Sequence, residues 1–273
     1  MTLDLHVRVV GSGPPLVLLH GFTGSAAAWG DLSHRLAERF RVLAFDLPGH
    51  GASPAPEDPA RARLPQVADA LMATLDRHGV GAACWLGYSL GGRLALRAAL
   101  DHPSRVRALV LEGASPGIAD PDERRARAAA DATLADAIER DGLVAFVDRW
   151  LAQPLFATQA SLPEAVRERE RARRLAGSAA GYAAALRAMG TGEMEPLWQR
   201  LPGLRVPVLL IAGEKDVKYA AIAQAMASAL PDARVALISD AGHTVHLERP
   251  HAWLETVEPF LCDAVGLRTA GAA

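Results

Sequence analysis

Six short, nearly all-apolar runs recur along this chain, at 16–19, 41–45, 82–86, 106–111, 208–212 and 234–238. Stretches with helical spacing separate most of them, at 29–39, 66–78, 90–100 and near 220–230, and another follows at 251–265. A strand with no polar face must be covered on both sides. Strands of that kind alternating with helices predict an α/β fold, with a mostly parallel central sheet and helices on both faces. The rhythm stops between about 120 and 189, where the sequence is helical, rich in Ala and Arg, and without a convincing strand. The simplest organisation is a discontinuous core at 1–116 and 201–267, a helical cap at 117–200, and a frayed, disordered tail at 268–273.

Composition narrows the functional classes. Half of the 273 residues are hydrophobic and 22% are charged, as in a soluble globular protein. The formal charge of −2 lacks the basic excess of a nucleic-acid binder. No run reaches the roughly 18 apolar residues of a membrane span, and MTLDLHVRVV does not read as a secretory signal. Cys84 and Cys262 form no metal or redox spacing, and Cys84 reads as a core residue. A reducing cytoplasm is the simplest setting for two isolated cysteines. No HxH or HExxH pattern appears, so a metal enzyme is not expected.

The chemistry-bearing motif is Gly87-Tyr88-Ser89-Leu90-Gly91, between an apolar run and a helical one. That strand–turn–helix setting is what a GxSxG nucleophile elbow requires. Glycines at its ends let strand and helix approach, and the helix N-terminus favours negative charge nearby. Asp216 and His243 follow two later apolar runs, at the strand ends where open α/β sheets place their sites. Asp216 would orient His243, and His243 would take the Ser89 proton. The plainer alternatives are a loop histidine and a helix N-cap. Asp46 in DLPGHG reads as a turn residue, and Glu112 as a hinge or supporting group. His20, His50 and His246 read as structural.

The segments LHGFTGS, FDLPGHG, GYSLGGR, GEKD and AGH resemble the α/β-hydrolase superfamily, whose triad also runs Ser, Asp, His along the chain. The resemblance implies an oxyanion hole formed by the N–H groups of Phe22 and Leu90. A narrower likeness runs through LHGFTGS, GYSLGGRLAL, LEGASPGI, WLAQPLF, LRAMGTGEMEPLW, GEKDVKY and AGHTVHLERP. These segments, from core and cap alike, resemble the 2-succinyl-6-hydroxy-2,4-cyclohexadiene-1-carboxylate synthases of menaquinone biosynthesis. That family implies a cofactor-free lyase that eliminates pyruvate from a small polycarboxylate.

Such a substrate asks for fixed positive charge near Ser89. Arg93 lies one helical turn beyond the serine. Matching segments nominate Arg124 and Arg174 in the cap, with Arg127 as runner-up, and Lys218 beside the triad. Ser178 stands where the family usually carries Asn, which leaves Arg173 open beside Arg174. Tyr88 and Trp150 are expected to line the pocket. The bland alternative for the cap arginines is a solvated face, since Glu123/Arg127 and Glu170/Arg174 are i,i+4 pairs. Two other functions compete: a carboxylesterase or C–C bond hydrolase with Ser89 as nucleophile, and a non-enzymatic small-acid receptor on the same fold. The oligomeric state is not legible.

Overall fold

Leu16, Leu18, Val42, Ala44, Cys84 and Leu86 pack on one side of the sheet, and Val17, Leu19, Leu43, Phe45 and Trp85 on the other. Alternation along each strand sends neighbours to opposite faces, and both faces are dry because helices cover both. The computed structural model describes residues 3–267, so the expectation for 268–273 lies outside the described residues. Its strands are β1 (Val7–Val10), β2 (Pro15–Leu19), β3 (Arg41–Phe45), β4 (Ala83–Tyr88), β5 (Val106–Glu112), β6 (Val208–Gly213) and β7 (Ala233–Ile238). They form one sheet in the order β1-β3-β2-β4-β5-β6-β7. Pairing is parallel throughout except for β1, which runs antiparallel to β3 at the edge.

Helices α1 (Gly30–Ala37), α2 (Leu64–Arg77) and α3 (Leu90–Asp101) follow β2, β3 and β4. Between β5 and β6 the chain forms α4 (Pro121–Leu151), α5 (Glu164–Leu175) and α6 (Ala179–Met189). After β6 and β7 come α7 (Val217–Ala229), the single turn α8 (Val245–Glu248) and α9 (Pro250–Ala264). The α4–α6 region has its own apolar centre, including Ile138, Phe146, Val147, Tyr182 and Leu186. Long as it is, α4 is broken at Gly142, whose φ of 82° and ψ of 170° are not helical. No helix among the described residues is long and apolar enough to cross a membrane.

Two differences from the sequence reading have physical causes. β1 was not expected, because its VRVV is short and only partly covered as an edge strand. Its order comes from pairing with β3, which local sequence does not reveal. The helical stretch expected from Trp29 instead begins with a 3-10 turn at Ala26–Trp29 and becomes α-helical at Gly30.

Candidate active site

Ser89 sits between the last residue of β4 and the first of α3, with φ of 51° and ψ of −108°. A non-glycine residue with positive φ is strained, and this one is held because both flanks are packed elements. Its N–H donates to the Glu112 carbonyl at 2.8 Å, tying the turn to the end of β5. Gly91 lets α3 press on the neighbouring strand: a Cβ there would lie 2.1 Å from the Leu19 carbonyl oxygen.

Asp216 caps α7 just beyond β6, and one of its carboxylate oxygens accepts the Tyr219 N–H at 3.3 Å. The other lies 2.7 Å from His243 Nδ1. An ionised carboxylate only accepts, so Nδ1 carries the proton and Nε2 is left as acceptor. Nε2 lies 3.2 Å from Ser89 Oγ. His243 and Asp216 are both buried. Structurally, then, Ser89, His243 and Asp216 stand in a hydrogen-bonded line, with the hydroxyl donating to the imidazole. Tyr88 packs beside the imidazole, its ring 5.4 Å away, and Tyr219 packs at 4.6 Å. The Tyr88 hydroxyl pairs with Thr244 Oγ1 at 2.8 Å, and Gln159 Nε2 donates to the same oxygen at 3.0 Å. Burial raises the Tyr88 phenol well above its ordinary value, so it stays protonated.

Ser89 and His243 open on a cavity of about 410 Å³. Its apolar lining includes Phe22, Leu90, Trp150 and Phe156, with Phe22 edge-on to Trp150 at 5.2 Å. Leu90 is the first residue of α3, so its N–H has no helical acceptor. The cavity's charged lining residues are Arg93, Arg127, Lys218 and Asp131. Arg93 is buried and donates Nη1 to the Met189 carbonyl at 2.9 Å. Burial pulls its pKa down to about 10, which leaves it charged at neutral pH.

The cap arginines do not fall as the sequence reading placed them. Arg124 turns back along α4, and Nη1 donates to the Ile118 and Ala119 carbonyls at 3.1 and 3.4 Å. Helical side chains lean toward the N-terminus, which carries this one over the loop before α4 and away from the cavity lining. Arg127, the runner-up, lines the cavity. Arg174 is buried, donating Nη1 to Glu170 Oε2 at 3.1 Å. With Arg173 it lines a separate cavity of about 30 Å³ behind Phe22 and Tyr88. The i,i+4 carboxylate thus accounts for Arg174's orientation. Asp131, Gln153, Phe156 and Tyr219 line the cavity beside Ser89 and were not singled out from sequence. The available signals were Asp131 four residues after Arg127 and Tyr219 three after Asp216.

His20, His50 and His246 brace loops. His20 bonds the Gly21 carbonyl through Nδ1 and accepts the Leu47 N–H, while His50 bonds Pro48 O and accepts the Thr23 N–H. Burial lowers their pKa values to about 4 and about 3. His246 Nδ1 lies 2.8 Å from Glu112 Oε1, whose partner oxygen accepts from Trp253 Nε1.

Residues 14–250 match the alpha/beta hydrolase fold family. The chain belongs to that family. It is 43% identical over 246 residues to a putative 2-succinyl-6-hydroxy-2,4-cyclohexadiene-1-carboxylate synthase of Bacillus subtilis, covering 90% of this chain and 89% of the other. A synthase of the same name from Pectobacterium atrosepticum is 36% identical, covering 95% and 98%. The solved structure of MenH from S. aureus superposes with a TM-score of 0.91 at 32% identity, covering 97% of this chain and all of that one. Within the hydrolase fold, the chain's place is in the family of these synthases.

Proposed function

We propose that this protein is a carbon–oxygen lyase of menaquinone biosynthesis. It eliminates pyruvate from 2-succinyl-5-enolpyruvyl-6-hydroxy-3-cyclohexene-1-carboxylate, giving 2-succinyl-6-hydroxy-2,4-cyclohexadiene-1-carboxylate without a cofactor. The observation that carries the reading is a serine–histidine–aspartate line opening on a cavity with Arg93, Arg127 and Lys218 in its wall. A plain ester of neutral groups has no use for that charge, whereas a substrate with several carboxylates does. The likeness to synthases of this name supports it.

In this mechanism His243 draws the proton from Ser89 Oγ, and the oxygen removes a ring proton from the substrate. The C2–H electron pair forms the C2=C3 double bond, the existing C3=C4 pair shifts to C4=C5, the C5–oxygen bond breaks, and pyruvate leaves as its enolate, to be protonated on carbon. Asp216 stabilises the imidazolium. The N–H groups of Phe22 and Leu90 stabilise negative charge building on substrate oxygen. Arg93, Arg127 and Lys218 hold carboxylates, the guanidinium groups in bidentate fashion. Tyr88 and Trp150 give the ring an aromatic wall. A cytoplasmic setting fits the two free thiols.

The test is pyruvate release from the enolpyruvyl substrate. Saturable release supports the lyase, and none above background from folded protein rejects it. The same Ser89–His243 contact also suits acyl transfer, so esterase or C–C hydrolase activity is the second reading. Rapid p-nitrophenyl acetate turnover that vanishes in Ser89→Ala, without pyruvate release, would favour it.

A further inference from the structure

Among the described residues that line the cavity, Asp131 is the one carboxylate, beside the cations Arg93, Arg127 and Lys218. It sits on α4 four residues after Arg127, on the same helical face. Arg127 Nε donates to Asp131 Oδ1 at 2.8 Å. The two ends of the pair differ in exposure: the Arg127 side chain is 41% exposed and that of Asp131 only 6%. Oδ2 is buried and has no hydrogen-bond partner among the described residues.

An ordinary i,i+4 pair on a solvated face leaves both ends wet and contributes a few tenths of a kcal/mol. A carboxylate oxygen stripped of water and left unpaired opposes stability. This pair is therefore poorly explained as a device for helix stability. Its placement suits a different task. Bonding through Nε leaves both terminal nitrogens of Arg127 available to a ligand and takes away much of the freedom of a long, half-exposed side chain.

The surroundings hold Asp131 in turn. A Cβ on Gly190 would lie 2.6 Å from Oδ2, so the carboxylate fills space that glycine leaves open. Gly190 follows Met189, whose carbonyl accepts from Arg93. Asp131 thus stands where the segments carrying Arg127 and steadying Arg93 meet.

We propose that Asp131 is a positioning residue that sets the orientation of Arg127 toward a substrate carboxylate. This rests on the reading of Arg127 as a carboxylate ligand. The experiment is a double-mutant cycle of Asp131→Asn, which keeps the shape, with Arg127→Met. It is read by KM and kcat for pyruvate release, and by calorimetric binding of succinate, which needs no turnover. The expected result is that D131N raises KM and the succinate Kd about fivefold in the wild-type background and less than 1.5-fold beside R127M, with kcat changed less than twofold. Equal losses in both backgrounds, or D131N matching wild type, would overturn the proposal. A fall in Tm accompanied by equal losses would mark Asp131 as merely structural. If wild type releases no pyruvate, the lyase reading fails, while the succinate cycle still decides the role of Asp131. If R127M itself changes neither KM nor succinate binding, Arg127 is no ligand and Asp131 has nothing to position.

Discussion

The sheet and the α4–α6 region contribute to one cavity in different ways. The sheet delivers Ser89, Asp216 and His243 from the ends of β4, β6 and β7, where parallel strands fix each loop from below. The α4–α6 region delivers Arg127, Asp131 and Trp150 from helix faces, where one residue of rotation separates a lining side chain from an outward one. Chemistry on strand ends is set by backbone register. Recognition on helices is set by side-chain direction, and here also by which carboxylate each arginine finds.

Several measurements would break or sharpen that contrast. The largest effect belongs to the sheet: Ser89→Ala should cut pyruvate release about a thousandfold while leaving Tm unchanged. A loss under tenfold would remove Ser89 from the reaction. Acid should act on the sheet loops next. His20 and His50 are neutral when folded, with pKa values lowered from 6.5 to about 4 and about 3. Below about pH 6.5 the unfolded chain therefore takes up protons that the folded one refuses. Stability should be level above that pH and decline as pH drops toward 4, read as Tm between pH 8 and pH 4.5. A Tm equal at pH 7 and pH 5 would contradict the account.

On the helical side, Arg127→Met should raise KM about tenfold with kcat within about threefold, the pattern of lost carboxylate binding. The smallest effect should come from Arg124→Met, with KM and kcat within about twofold of wild type, because its guanidinium serves the Ile118 and Ala119 carbonyls. If Arg124 proved the costlier of the two, helix rotation would be the wrong explanation for their different placement.

The same contrast governs what the sequence made legible. Apolar runs marked six strands, and Ser89, Asp216 and His243 each followed one of them, so local pattern and site coincided. β1 escaped because an edge strand draws its order from β3 rather than from its own composition. In the cap, Arg124, Arg127 and Arg174 are alike in sequence. Their fates depend on Ile118, Asp131 and Glu170, partners selected by rotamer and packing. Asp131 offered only an i,i+4 spacing, which solvent-facing pairs share.

The break at Gly142 has a consequence for how such a cavity can change over time. Arg127 precedes it and Trp150 follows it, so one of the cavity's cations and one of its aromatic rings belong to two rods joined by one residue. A Cβ at 142 would meet nothing within 4 Å, so the requirement for glycine is conformational rather than steric. A lineage could tilt one rod, and retune ring size or carboxylate spacing separately, by altering a single swivel and leaving the reacting groups on the sheet undisturbed.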